Sequence, residues 1–140
     1  MNPERVQKRG LEIKSMQPGL LPGYKLVFNK VSTAHPDNAH ANVQFDRTSE
    51  VEGVLYQLMD STEIQKMDVF ENAPINYSRE VVKIGTSLGV IAAWTYFANA
   101  GVLQWGKNPT SEYLEQLLAG RQFLSEAYYD RLLRQPTTGS

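Results

Sequence analysis

The sequence predicts one α+β domain with about five strands and with helices at its start, middle and end. Short segments rich in β-branched and aromatic residues are bounded by turn residues. Other segments place a capping residue before an amphipathic pattern. The chain has 140 residues, of which 41% are hydrophobic, and this fits a single core. We therefore expect one domain over residues 1–135 and a disordered tail or cloning remnant over 136–140.

The first helix is predicted by Asn2 and Pro3. Asparagine caps a helix well, and proline suits its first turn. Gly10 should end this helix. The dipeptides Pro18-Gly19 and Pro22-Gly23 predict turns, because both residue types interrupt regular structure.

Five segments alternate between apolar and polar residues or are rich in valine and isoleucine, as strands are. These predicted strands are 24–28, 41–45, 52–58, 77–84 and 88–97. The polar residues 32–40 predict a loop, and 46–50 and 85–87 predict turns. We expect the last strand to be buried, because its apolar run is too short to span a membrane.

Capping residues also predict the later helices. Asp60 is followed by Glu63 three residues on, as in a capping box. Pro74 disfavours helix immediately before itself, so the middle helix should end near position 72. The predicted helices are 60–72, 110–120 and 125–133.

The composition excludes several kinds of function. The net charge of −1 gives no broad attraction to nucleic acid or to an anionic membrane. The absence of cysteine removes disulfides, thiol nucleophiles and cysteine–zinc sites. The N-terminus has no apolar signal segment, and together these features agree with a cytoplasmic protein.

Glu71 is the most informative residue of the middle helix. Ile64, Met67 and Glu71 are spaced i, i+3 and i+7, so they share one face that should point at the core. A carboxylate there reaches solvent at the helix end, pairs with a cation, or lies desolvated with a raised pKa. Spacing alone favours the solvated outcome, because charged side chains are seldom fully buried.

The order of several motifs resembles the gamma-glutamylcyclotransferase-like family over nearly the whole chain. None of these segments is specific alone; their order and spacing are. They are Glu52-Gly53-Val54-Leu55-Tyr56-Gln57-Leu58, Met67-Asp68-Val69-Phe70-Glu71, Tyr77-Ser78-Arg79-Glu80-Val81-Val82, Ala93-Trp94-Thr95-Tyr96 and 109–132. Asn2-Pro3-Glu4-Arg5 resembles the residues that follow the family's Tyr-Gly-Ser-Asn loop.

The resemblance implies a mixed, strongly curved or barrel-like sheet with flanking helices. It implies an enzyme of lyase or acyltransferase type that cyclises a γ-glutamyl amine or peptide to 5-oxoproline and releases the amine. Glu71 matches the family's catalytic glutamate and would act as general base. Tyr77 would hold the substrate through its hydroxyl or, equally, serve as a half-buried strand aromatic. No metal or organic cofactor is required.

Two departures from the family pattern affect these expectations. The Tyr-Gly-Ser-Asn loop and its strand are absent from this chain. Loss of an oxyanion donor costs roughly 10²–10³ in rate, so we expect impaired activity. Unpaired strand edges also predict a homodimer or a strand-exchanged assembly. Asn72 replaces the usual glycine after the glutamate, a mild change if its φ is positive.

Two alternatives stay open at this point. The rival function is a non-catalytic domain that binds a small ligand or a partner and retains the fold. His35, Asp37 and His40 lie in one polar loop and have the donor atoms of a metal site, although solvated loop histidines are the favoured interpretation.

Overall fold

The computed structural model describes residues 2–32 and 36–138. The described residues form an α+β fold in which helices flank a four-stranded antiparallel sheet of order β2-β1-β3-β4. The strands are β1 Ile13–Val31, β2 Ala39–Leu58, β3 Tyr77–Thr86 and β4 Gly89–Ala98. The helices are α1 Pro3–Lys8, α2 Ile64–Phe70, α3 Ser111–Leu118 and α4 Glu126–Leu133. Short 3-10 helices cover Ser61–Glu63, Ala100–Val102 and Arg121–Phe123.

The prediction of α+β class is confirmed, but the sheet differs from the expected one. It has four strands rather than about five, it is antiparallel rather than mixed, and it is neither closed nor strongly curled. The expected turn at 46–50 lies inside β2, so two predicted strands are one. The pairing moves from Tyr24–Phe45 to Pro22–Glu50, so residues 46–49 face the single residue Gly23. A polar excursion within one ladder therefore has the composition of a turn.

The two predicted proline turns were also wrong. Pro18 and Pro22 both lie within β1, where they pair with Val54 and Glu50 of β2. The described pairing between β1 and β3 is limited to Leu20 with Gly85. A proline lacks the N–H that a second ladder would need, and β1 has almost no second ladder.

The predicted caps are confirmed. The side chain of Asn2 accepts a hydrogen bond from the backbone N–H of Arg5, and that of Asp60 accepts one from Thr62. Thr110 and Ser125 cap α3 and α4 in the same way. Local hydrogen bonding therefore sets the start of each of these elements.

The hydrophobic core joins three strands. Leu21 of β1, Val51 of β2 and Ile84 of β3 pack together at its centre. β4 was expected to be buried, but it is an edge strand with one neighbour, and Val90 and Trp94 are exposed. Edge position explains this exposure, because one side of β4 has no strand to cover it.

The chain after α4 folds back onto the domain. The backbone N–H of Thr138 donates to the carbonyl of Pro109. Residues 139 and 140 lie outside the described part of the chain. Within residues 2–32 and 36–138, no helix is long and apolar enough to cross a membrane.

Candidate active site

A cavity of about 930 Å³ lies between the helices and the edge strands. Its walls come from α1, α2 and α3, from the end of β2 and from β4. Ile64, Met67 and Glu71 all line it, and this confirms that they share one face of α2. The expected core face is therefore the wall of an open space.

Glu71 follows the last turn of α2, and its side chain is 23% exposed. Its Oε1 lies 3.5 Å from Nη1 of Arg9, which is 17% exposed. The contact is longer than a typical charge-assisted hydrogen bond, so the pair is loose. Glu71 thus combines the second and first outcomes expected from its spacing: it pairs with a cation while part of its surface stays exposed.

Arg9 is held over the same end of the helix by two further contacts. Its guanidinium carbon lies 4.9 Å from the centroid of the Phe70 ring, and Nη1 lies 3.7 Å from the sulfur of Met67. Burial lowers the pKa of Arg9, and the charge of Arg5 acts in the same direction, whereas Glu71 opposes both. Arginine nevertheless stays protonated at neutral pH.

Asn72 adopts the left-handed conformation, with φ of 48°. Its carbonyl accepts hydrogen bonds from the N–H groups of Ile75 and Asn76, which turn the chain away from α2. Asparagine tolerates this conformation better than most residues do. Replacement of glycine at this position is therefore compatible with the local backbone.

Tyr77 lies at the start of β3 and lines the cavity. Its hydroxyl donates a 3.0 Å hydrogen bond to the carbonyl of Ala41, and burial raises its pKa. The hydroxyl of Tyr113 accepts from the N–H of the same Ala41. The proton of Tyr77 is therefore committed to β2, while its oxygen retains capacity to accept.

Lys30 is a cavity residue that the sequence analysis missed. It is 5% exposed, and its Nζ lies 5.8 Å from the centroid of the Tyr77 ring. A register shift between Phe28 and Lys30 makes this part of β1 a bulge, so Asn29 and Lys30 are both buried. A signal was present, because the alternation of Tyr24, Leu26 and Phe28 continues to position 30.

A polar network ties α2 to the sheet. Asp68 accepts a 2.6 Å hydrogen bond from the hydroxyl of Tyr96, and its carboxylate lies 3.1 Å from Nε of Arg79. The Arg79 guanidinium lies 4.6 Å from the centroid of Trp94. Asp68 was expected to be solvated and Trp94 to lie in the core; instead, Asp68 is partnered and Trp94 is exposed.

The loop histidines do not form a described metal site. His40 stacks on Tyr113 with ring centroids 4.4 Å apart, and His35 lies outside the described residues. No group of three metal-ligating side chains occurs within the residues that the structure describes.

Comparison with known proteins gives one family match. The family model described as gamma-glutamyl cyclotransferase, AIG2-like, matches residues 2–118. No curated protein matches.

Solved structures share the fold at low sequence identity. A structure titled gamma-glutamyl cyclotransferase has a TM-score of 0.83 at 19% identity, covering 98% of this chain and 83% of that one. An uncharacterized protein from Homo sapiens has a TM-score of 0.81 at 20% identity, covering 96% and 82%. YkqA from Bacillus subtilis has a TM-score of 0.72 at 17% identity, covering 98% and 52%. These likenesses concern the fold.

Proposed function

Because this chain belongs to the gamma-glutamyl cyclotransferase, AIG2-like family, we propose that it cyclises a γ-glutamyl amine or peptide to 5-oxoproline and releases the amine. The observation that carries the proposal is the position of Glu71. Its carboxylate lines a cavity of about 930 Å³ and has a single loose partner in Arg9 within the described residues. A carboxylate so placed has room for a substrate amine beside it.

The reaction needs one group that moves a proton twice. Glu71 takes a proton from the substrate α-ammonium, and the freed nitrogen attacks the γ-carbonyl carbon. Glu71 then gives that proton to the leaving nitrogen as the original C–N bond breaks. Atoms balance without a co-reactant. Ring closure is intramolecular, so holding the glutamyl chain bent supplies much of the acceleration.

Two neighbours of Glu71 support this role. Arg9 sits 3.5 Å away, a distance that lets the carboxylate turn toward a substrate. Catalytic hydrogen bonds are often long before substrate binds. Tyr77 donates to Ala41, so we propose that its oxygen accepts from the substrate amine while its ring borders the glutamyl chain.

The test is release of 5-oxoproline from γ-glutamyl amino acids, peptides and amines. Glu71→Gln should lower turnover by about 10²-fold or more, because general acid–base catalysis contributes at least that much. Its thermal unfolding should match that of the wild type. Glu80→Gln is the matched control, since Glu80 is exposed on β3. Equal turnover by Glu71→Gln would remove this residue from the mechanism.

A wild-type protein that releases no 5-oxoproline from any of these substrates would contradict the cyclisation itself. Binding of the same compounds without turnover would then support the non-catalytic ligand-binding alternative. The residue variants and the substrate panel therefore test the site and the reaction separately.

A further inference from the structure

Lys30 is a buried cation whose charge nothing in the described structure neutralises. It is 5% exposed, and across residues 2–32 and 36–138 its ammonium has no hydrogen bond or ion pair. The nearest compensation is the face of Tyr77, 5.8 Å from Nζ to the ring centroid. A cation–π contact at this distance offsets only part of the cost of burying an ammonium.

The cavity as a whole carries an excess of positive charge. Arg5, Arg9 and Lys30 line it, and Glu71 is the one acidic side chain among the described lining residues. Arg9 already pairs with Glu71. Arg5 is exposed, so Lys30 is the inner cation left without an anion. An anionic ligand is the chemistry that this arrangement fits.

The position of that anion follows from the substrate. In a γ-glutamyl compound, the α-amine and the α-carboxylate are bonded to one carbon. If Glu71 holds the amine, the carboxylate must lie within a few ångströms of it. Lys30 lines the same cavity, and Glu71 is near enough to oppose the lowering of the Lys30 pKa by burial.

We propose that Lys30 binds the α-carboxylate of the γ-glutamyl group, so that the cavity selects substrates in which this carboxylate is free. The inference rests on the proposed function for the identity of the substrate. Glu71 and Lys30 then form a complementary pair for the two charges of an amino-acid head. Compounds with a blocked α-carboxylate are rejected, whatever amine they carry.

The first experiment compares a γ-glutamyl amine with its α-carboxamide counterpart, so that the leaving group is uncharged in both. The wild type should prefer the free carboxylate by about 10- to 100-fold in kcat/KM, the range for one charged hydrogen bond. Lys30→Met should reduce this preference to less than about threefold, through a higher KM for the free acid. Lys30→Arg should keep part of it, because the charge remains.

The matched control is Lys83→Met, on the exposed surface of β3, which should leave the preference unchanged. Replacement of a buried charge by a residue of similar volume is often neutral or stabilising, so Lys30→Met should fold. An unaltered preference in Lys30→Met, with turnover intact, would overturn the assignment of Lys30 and leave the proposed reaction standing.

A second experiment measures binding without turnover. Calorimetric titration with 5-oxoproline, which keeps the α-carboxylate, should show binding that Lys30→Met weakens by about 10-fold or more. Titration with 5-oxoprolinamide should show weak binding that the substitution does not change. Lys30-dependent binding in a protein without cyclisation activity would uphold the site and refute the reaction. Equal binding of both compounds to the wild type would refute the site.

Discussion

The hydroxyl of Tyr96 on β4 donates a 2.6 Å hydrogen bond to the carboxylate of Asp68 on α2. The same carboxylate lies 3.1 Å from Nε of Arg79 on β3. One turn further along α2, Glu71 enters the cavity. The two strands thus fix the rotation of the helix that presents Glu71.

Asp68→Ala should lower the free energy of unfolding by about 1–2 kcal/mol, because partly buried donors lose their acceptor. The salt bridge itself is partly exposed and contributes less than a buried one. Urea denaturation measures this change. Asp130→Ala, at an exposed position of α4, should change stability by less than about 0.5 kcal/mol. Equal effects of the two substitutions would contradict a role for Asp68 in holding α2.

Gly19 and Gly53 face each other across β1 and β2, yet only one of them has space for a methyl group. A Cβ at Gly19 would lie 2.9 Å from Cγ2 of Ile84, whereas one at Gly53 would meet no atom within 4 Å. Gly19→Ala should cost about 1–3 kcal/mol through overpacking.

Gly53→Ala should be neutral or stabilising by up to about 1 kcal/mol, because alanine restricts the unfolded chain. Thermal unfolding of the two variants provides the comparison. A smaller cost at position 19 than at position 53 would show that the core side of β1 yields to the added methyl.

Asn72 offers a test of backbone conformation next to the site. Its φ of 48° is costly for a residue with a Cβ and free for glycine. Asn72→Ala should lower the free energy of unfolding by about 1 kcal/mol, while Asn72→Gly should be neutral or slightly stabilising. Chemical denaturation of the pair measures the difference. Alanine and glycine variants of equal stability would indicate that position 72 relaxes out of the left-handed region.

Tyr56 should make stability fall at alkaline pH. Burial raises its pKa to about 12 from the ordinary value of 10. Between these values, the tyrosine of the unfolded chain releases its proton while that of the folded chain keeps it. The unfolded state then binds fewer protons, so the free energy of unfolding decreases as pH rises.

The stabilising contribution of neutral Tyr56 is therefore complete below pH 10 and is lost as pH rises toward about 12. Urea denaturation between pH 8 and about pH 11 should show a shallower fall for Tyr56→Phe than for the wild type. At pH 8 the variant should be at least as stable, because the Tyr56 hydroxyl is buried without a partner among the described residues. Parallel profiles would contradict the raised pKa.

Short-range chemistry made much of this fold predictable. Capping by Asn2 and Asp60 depends on residues two or three positions away, and both caps appear in the structure. The inward face of α2 follows from helical spacing, which also placed Glu71 beside the cavity. These features depend on local hydrogen bonds and on periodicity, which a single sequence contains.

Register and pairing were not predictable in the same way. Pro18 reads as a turn residue, but it occupies a strand because the side of β1 that faces β3 has only one described pairing. Lys30 enters the cavity because β1 bulges between Phe28 and Lys30 against residues ten or more positions away. Its partner Glu71 lies on another element altogether. Such arrangements depend on contacts between distant segments, which residue patterns along one chain do not specify.

The walls of the cavity come from segments spread from Asn2 to Leu117. No partly folded form of the chain can assemble such a space, because its pieces meet only when the whole sheet and its helices are in place. Any molecule that occupies it must therefore bind the native state alone and shift the folding equilibrium toward that state. A compound present at 100 times its Kd adds about 2.7 kcal/mol in this way. Heat resistance thus becomes a readout of occupancy that depends on neither turnover nor knowledge of the ligand.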